Sequence, residues 1–139
     1  RSGKLVWAFD LAPPDFDYAT GLVSEAGYAL GTPNVWSGFA VDQPRDMVFL
    51  PTGNPAPDYA RNPGPDMAHY GSSVVALRGS TGELIWHFKT VERDFWDFDV
   101  PSIPSLVDLQ LAGRSVPALI QSTKMGFIFV PIEKPVNLW

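Results

Sequence analysis

Two stretches of this 139-residue chain hold residues whose types and spacing suit acid–base chemistry: FWDFDVP, Phe95 to Pro101, and STKMGFIFV, Ser122 to Val130. Each places a charged side chain at the edge of an expected strand. Asp97 stands in the first, and Lys124 follows twenty-seven residues later in the second. A carboxylate and an ammonium held near each other can accept a proton and stabilise developing charge on a bound molecule. Taken singly, both residues have ordinary explanations. A loop Asp caps backbone turns, and a lone Lys in a turn is normally solvated.

The elements that must position these groups are short and β-rich. Fourteen Pro and twelve Gly punctuate the chain, and no long amphipathic helix is evident. Strands are expected at Leu5–Phe9, Val35–Val41, Met47–Leu50, Ser73–Leu77, Leu84–Lys89, Ser105–Leu109, Val116–Gln121 and Phe127–Pro131. Short strands separated by turn signals indicate an all-β sandwich, barrel or propeller. A repeat decides among them. SGKLVWAF begins at Ser2 and TGELIWHF at Thr81, with Gly four residues before Trp in both. The two glycines stand seventy-nine residues apart. Common propeller repeats run to roughly 40–50 residues. The excess is explained by the twenty-one residues from Pro51 to Gly71, five of them Pro. Loops this long in compact domains are functional or disordered. Trp7 and Trp86 read as core residues, and such repeats bury their faces only against neighbours.

With four strands per blade, lettered A to D from the centre outward, Leu5–Phe9 ends one blade. Residues 35–89 make a complete second blade, and residues 105–139 make most of a third. In an up-and-down meander the B–C and D–A connections emerge at one end of the sheet. Asn54 and Lys124 then lie in B–C connections, Asp97 lies in a D–A connection, and Trp36 lies at the D–A end of strand A. All four face one end. The turn Arg78–Glu83 of the Trp repeat faces the other.

Composition narrows the classes. A content of 45% apolar and 13% aromatic residues supplies a core. A net charge of −5 and a pI near 4.8 argue against a nucleic-acid partner. No apolar run approaches the roughly 18 residues of a membrane span. With no Cys, disulfides, thiolate metal sites and Cys nucleophiles are all excluded from this chain. The two histidines, His69 and His87, are far apart and make a poor zinc site. Arg1 reads as an arbitrary start, so the chain is expected to be an internal fragment.

The Trp repeat, TGNPAPDY (Thr52 to Tyr59), WDFDVP and TKMGFIFV together resemble quinoprotein dehydrogenases, which use pyrroloquinoline quinone (PQQ) on an eight-bladed propeller. ALGTPNVW, VPSIPSLVDL and VPALIQSTKMG are similar to the membrane-bound glucose and quinate/shikimate group. The resemblance covers nearly the whole chain, equal to about two blades. It implies roles by position. Asp97 matches the base that takes a proton from a substrate hydroxyl. Lys124 matches the basic residue that contacts the ortho-quinone oxygens. Asn54 matches an oxygen ligand of a bridging Ca²⁺ or Mg²⁺, with Asp97 and Asp99 as further oxygens. Trp36 matches the indole that packs flat on the tricyclic quinone. Trp96 is expected to support Asp97. The implied partners are an alcohol or sugar substrate, a membrane quinone as electron acceptor and the remaining blades. The implied compartment is the periplasm, with a parent anchored to the inner membrane.

The sequence departs from the family in VERDF, where Glu92 and Arg93 stand in place of His residues often found before the WD motif. After Val130, PIEKPVNLW lacks the usual acidic residue and Thr-Gly. The competing function is a non-catalytic Trp-repeat propeller, such as an outer-membrane assembly scaffold. Such a scaffold has no reason to gather Asn54, Asp97 and Lys124 at one end. A carbohydrate-binding module using Trp36 and Trp96 explains the aromatics but not Lys124.

Overall fold

The computed structural model describes residues 2–57, 59 and 66–131. Among these there is no helix. Seven strands run in chain order: β1 (Ala40–Asp42), β2 (Met47–Pro51), β3 (Ser73–Arg78), β4 (Leu84–Lys89), β5 (Ser105–Leu111), β6 (Arg114–Ser122) and β7 (Ile128–Phe129). They form two antiparallel meanders, β1-β2-β3-β4 and β5-β6-β7. This is the arrangement expected of successive propeller blades.

Strand β3 explains the packing. Its sequence SVVALR shows no polar alternation, because both faces are covered. Val74 and Ala76 turn to a cluster with Ala40, Met47, Phe49 and, from the second sheet, Leu119, with Trp86 packed against it. Val75 and Leu77 turn the other way onto Tyr70, Trp7, Phe9, Leu50 and Leu84. A central strand buried on both faces reads as a continuous apolar run. One core thus lies between the two sheets, and a second lies beneath the Trp7 segment.

The expected strand Leu5–Phe9 forms no ladder. Among the described residues it has no strand partner, and an extended segment needs one to be a strand. It docks through Trp7 instead, whose Nε1 donates to the Gly79 carbonyl at 2.9 Å. The indole lies against Gly82. A Cβ there would meet Trp7 Cε3 at 2.6 Å, and the backbone holds φ +75°. Both the close approach and the left-handed turn demand glycine.

Other boundaries moved for local reasons. Strands β5 and β6 each run two residues further toward their shared turn than expected. Ala112 and Gly113 both adopt positive φ (48° and 75°), which is the two-residue hairpin geometry that matches strand twist. Ala in the first place hid that signal. Strand β1 begins at Ala40 rather than Val35. The chain at Asn34 turns aside to accept a hydrogen bond from the Gly53 N–H at 2.8 Å. Strand β7 is shorter than Phe127–Pro131, although the Leu119 N–H still reaches the Pro131 carbonyl at 3.0 Å. The segment expected to break the blade pattern lies, beyond Pro131, outside the described residues.

Candidate functional site

Connections at one end of the two sheets converge. The organising residue is Thr52, fully buried at the end of β2. Its Oγ1 contacts the Tyr70 carbonyl at 2.5 Å and accepts from the Ser73 N–H at 3.0 Å. Its carbonyl accepts from the Val100 N–H at 3.1 Å. The long loop after β2 is therefore closed at its base and tied to the connection between β4 and β5. Gly53 follows because nothing larger fits. A Cβ there would lie 2.8 Å from Asp99 Oδ1 and 3.3 Å from the Trp36 ring.

Asp99 is the hub of what this arrangement brings together. It is 8% exposed. Oδ1 accepts from the Asn54 N–H at 2.6 Å. Oδ2 accepts from Trp36 Nε1 at 3.2 Å and from Lys124 Nζ at 2.8 Å. Lys124 Nζ also donates to Asp97 twice, to Oδ2 at 3.2 Å and to the carbonyl at 3.0 Å. The same ammonium lies 5.8 Å from the Trp36 ring centroid, within cation–π range. All five residues singled out in the sequence, Trp36, Asn54, Asp97, Asp99 and Lys124, thus meet at one end. The Arg78–Glu83 turn is at the other end, bonded to the β1–β2 turn through Gly79 N–H and Asp46 O at 2.8 Å.

Burial pushes the Asp99 carboxyl up. The hydrogen bonds from Lys124 and the Asn54 N–H, with the Lys124 charge, outweigh that and hold it below the usual carboxylate range. The Lys124 ammonium is held above its ordinary value, first by its hydrogen bond to Asp99 and against a smaller effect of burial. The sign follows from linkage. A carboxyl depressed in the folded state contributes stability above its unfolded value of about 3.9, and loses it as pH falls through the folded value. Unfolding free energy should therefore decline as pH drops below about 4. The Asp99→Asn variant should show a shallower decline in denaturant melts between pH 5 and 2.5. An equal slope in both proteins would remove Asp99 from the acid response.

Asp97 occupies the left-handed region, with φ +57°. Its Oδ2 also accepts from the Tyr59 hydroxyl at 3.3 Å. Tyr59 closes the TGNPAPDY motif, but nothing in the sequence sets its hydroxyl against Asp97. The Trp36 indole is held at its nitrogen and 55% exposed, so it offers an open aromatic surface beside Lys124. The Asn54 side-chain amide makes no hydrogen bond among the described residues. Trp96, expected to support Asp97, is 73% exposed. Glu92 and Arg93 are exposed.

The two histidines require a correction. They are distant in sequence, but their rings stand 4.8 Å apart beside Tyr70. Residues 68–70 fold back over β4, where Lys89 Nζ holds the Ala68 carbonyl. Burial, then the neighbouring His69 and Lys89 charges, lowers the His87 pKa. Among the described residues no three His, Cys, Asp or Glu side chains gather to hold a metal.

Comparison with known proteins shows the family and the fold. A sequence model described as "PQQ: Glucose/ethanol/alcohol dehydrogenase, beta-propeller domain" matches residues 1–131. Quinoprotein glucose dehydrogenase of Escherichia coli is 38% identical over 131 residues, covering 94% of this chain and 16% of that protein. Quinate/shikimate dehydrogenase (quinone) of Acinetobacter baylyi is also 38% identical over 131 residues, covering 93% of this chain and 16% of that protein. The crystal structure of a quinohemoprotein alcohol dehydrogenase from Comamonas testosteroni superposes with a TM-score of 0.62 at 30% identity, covering 72% of this chain and 15% of that one. The chain spans about one-sixth of the length of the curated relatives it matches.

Proposed function

The chain belongs to the β-propeller family of PQQ-dependent glucose, ethanol and alcohol dehydrogenases, and from that membership we propose that it forms about two blades, with one side of the active site, of a longer quinoprotein dehydrogenase. Its substrate class is a sugar, polyol or cyclic hydroxy acid bearing a CH–OH group. The division into blades is the one read from the sequence: the end of one blade at the Trp7 segment, a complete blade over residues 35–89 and most of a third from residue 105 onward. The remaining blades of the parent cover its exposed faces. The parent faces the periplasm from the inner membrane and passes electrons to a membrane quinone. The scaffold alternative is not favoured, since it leaves the site without a use.

One observation carries the reading. A single ammonium, Lys124 Nζ, lies within hydrogen-bond distance of Asp97 and Asp99, beside an open indole and an uncommitted amide. The residues fit the cofactor. Trp36 presents a flat surface for a planar ring system, held by its N–H to Asp99 so that the face stays open. Lys124 would reach the quinone oxygens and stabilise negative charge there. The chemistry that bound PQQ would supply is that of a two-electron acceptor for the hydride of the substrate carbon. Asp97 would accept the proton of the hydroxyl on that same carbon, so the substrate would lose its proton to a protein carboxylate and its hydride to a separate acceptor. The Tyr59 hydroxyl and the Lys124 ammonium orient the carboxylate for this.

The oxygen set also fits a hard cation. The Asn54 amide carbonyl and the Asp97 and Asp99 carboxylates are ligand types that Ca²⁺ or Mg²⁺ accepts. Asp99 is the most constrained of the three, because both of its oxygens already hold the site together.

Reconstitution of the full-length parent with PQQ and Ca²⁺ tests the reading. Dye-linked oxidation across sugars and cyclic polyols should appear only when PQQ is added. A folded, metal-supplied parent that binds no PQQ would overturn the enzyme and leave the scaffold.

A further inference from the structure

The catalytic assignment of Asp97 leaves its backbone unexplained. A left-handed conformation is costly for a residue with a Cβ, although Asp reaches it more easily than most. Something must hold it. Three residues upstream, Asp94 accepts from the Trp96 N–H at Oδ1, 3.0 Å, and from the Phe98 N–H at Oδ2, 2.7 Å. One carboxylate therefore grips the chain on both sides of Asp97. The Phe98 N–H belongs to the same peptide unit as the Asp97 carbonyl, and that carbonyl accepts from Lys124 Nζ at 3.0 Å. The peptide is pinned at both ends, by Asp94 on one side and by Lys124 on the other.

Asp94 is anchored in turn. Ser72, 1% exposed, donates from Oγ to Asp94 Oδ2 at 2.6 Å. Its N–H donates to the Gly53 carbonyl at 3.0 Å, and its carbonyl accepts from the Thr90 N–H at 2.9 Å. Ser72 itself holds φ +45°. One buried residue thus joins the loop that carries Asn54, the exit of β4 and the clamp on the Asp97 turn.

We propose that Asp94, anchored by Ser72, is a positioning residue: it fixes the Asp97–Phe98 peptide and the left-handed backbone of Asp97, and so aims the carboxylate at Lys124 and the substrate hydroxyl. This rests on the reading of Asp97 as the base. It acts through Asp97 and touches neither substrate nor cofactor. A displacement of about 1 Å in a reacting group can cost roughly 100-fold in rate.

The test is a mutant cycle in the PQQ-loaded full-length parent. Asp94→Ala should lower kcat about 30- to 100-fold, with KM and PQQ affinity within about 3-fold. On an Asp97→Asn background it should cost less than about 2-fold more, because residues that act as a unit are non-additive. Losses that multiply, or a fall in PQQ affinity that tracks kcat, would overturn the proposal in favour of a general structural role. Ser72→Ala removes only the anchor. It should show the same kcat-against-KM split at about 3- to 10-fold, which decides the matter if Asp94→Ala does not fold. Hydrogen exchange without substrate separates the two readings. The Trp96 and Phe98 amides should exchange faster in either variant while β3 stays protected. Unchanged exchange at these amides would sink the clamp whatever Asp97 does. An active Asp97→Asn with accelerated exchange would sink the base and leave the clamp.

Discussion

Replacing Asp97 by Asn is expected to lower kcat of the PQQ-loaded parent by about 10³-fold, within the 10²–10⁴ that positioned general bases contribute. The amide is nearly isosteric and still offers an oxygen to Lys124 and Tyr59. It cannot accept a proton at neutral pH. PQQ binding should survive, because Trp36 and Lys124 remain held by Asp99. The measurement is steady-state turnover beside direct PQQ titration. Loss of turnover with retained PQQ affinity supports the base. An active variant, or one whose activity falls only because PQQ no longer binds, would remove Asp97 from the chemistry.

Lys124→Ala should act in two ways at once. Turnover should fall about 10²- to 10³-fold, the range found when one group stabilising developing negative charge is removed. Stability should also fall, because the nearly buried Asp99 loses its counter-ion. A hydrogen bond to a charged group contributes about 1.5–3 kcal/mol. The lower end applies, since the Lys124 side chain keeps 34% of its surface in water. The pH dependence gives a separate readout. Without Lys124 the leading influence on Asp99 is burial, which raises its pKa. The loss of stability on acidification should therefore become shallower, and stability at neutral pH should drop most. Lys124→Arg restores the charge and should recover the acid limb before it recovers turnover, because a planar fork does not place its charge where an ammonium does. If Lys124→Ala leaves both the acid limb and turnover unchanged, the ammonium is a solvated surface group.

Much of the fold was legible because it follows from period and punctuation. The apolar run in SVVALR was expected as a strand at Ser73–Leu77 and forms β3, Ser73–Arg78, and β4 matched its expected limits, Leu84–Lys89. The up-and-down meander then placed Trp36, Asn54, Asp97 and Lys124 at one end without any knowledge of their contacts. Where expectation failed, an unseen partner decided. Leu5–Phe9 has strand-forming residues, but it has nothing to pair with among the described residues. The turn at Ala112-Gly113 lacked the Asn or Asp that commonly marks it.

The site was legible as residues and not as a network. Motif and topology named Asp97, Asp99 and Lys124, yet neither revealed that Asp99 is the hub while Asp97 holds a left-handed backbone. Asp94 and Ser72 were not singled out, and Tyr59 was legible only as the end of TGNPAPDY. A hydroxyl or carboxylate in a loop is ordinary in sequence, and its meaning depends on which backbone groups the fold leaves within 3 Å of it. The sequence by itself determined the strand pattern, the blade repeat and the end of the sheets where charged and aromatic groups collect, because these depend on side-chain period along one chain. Only the tertiary structure decided which oxygen meets which donor, how His69 comes to face His87 and what clamps the Asp97 turn. Those depend on distances between segments far apart in the chain, set by buried hydrogen bonds such as those of Thr52 and Ser72 that no local pattern encodes.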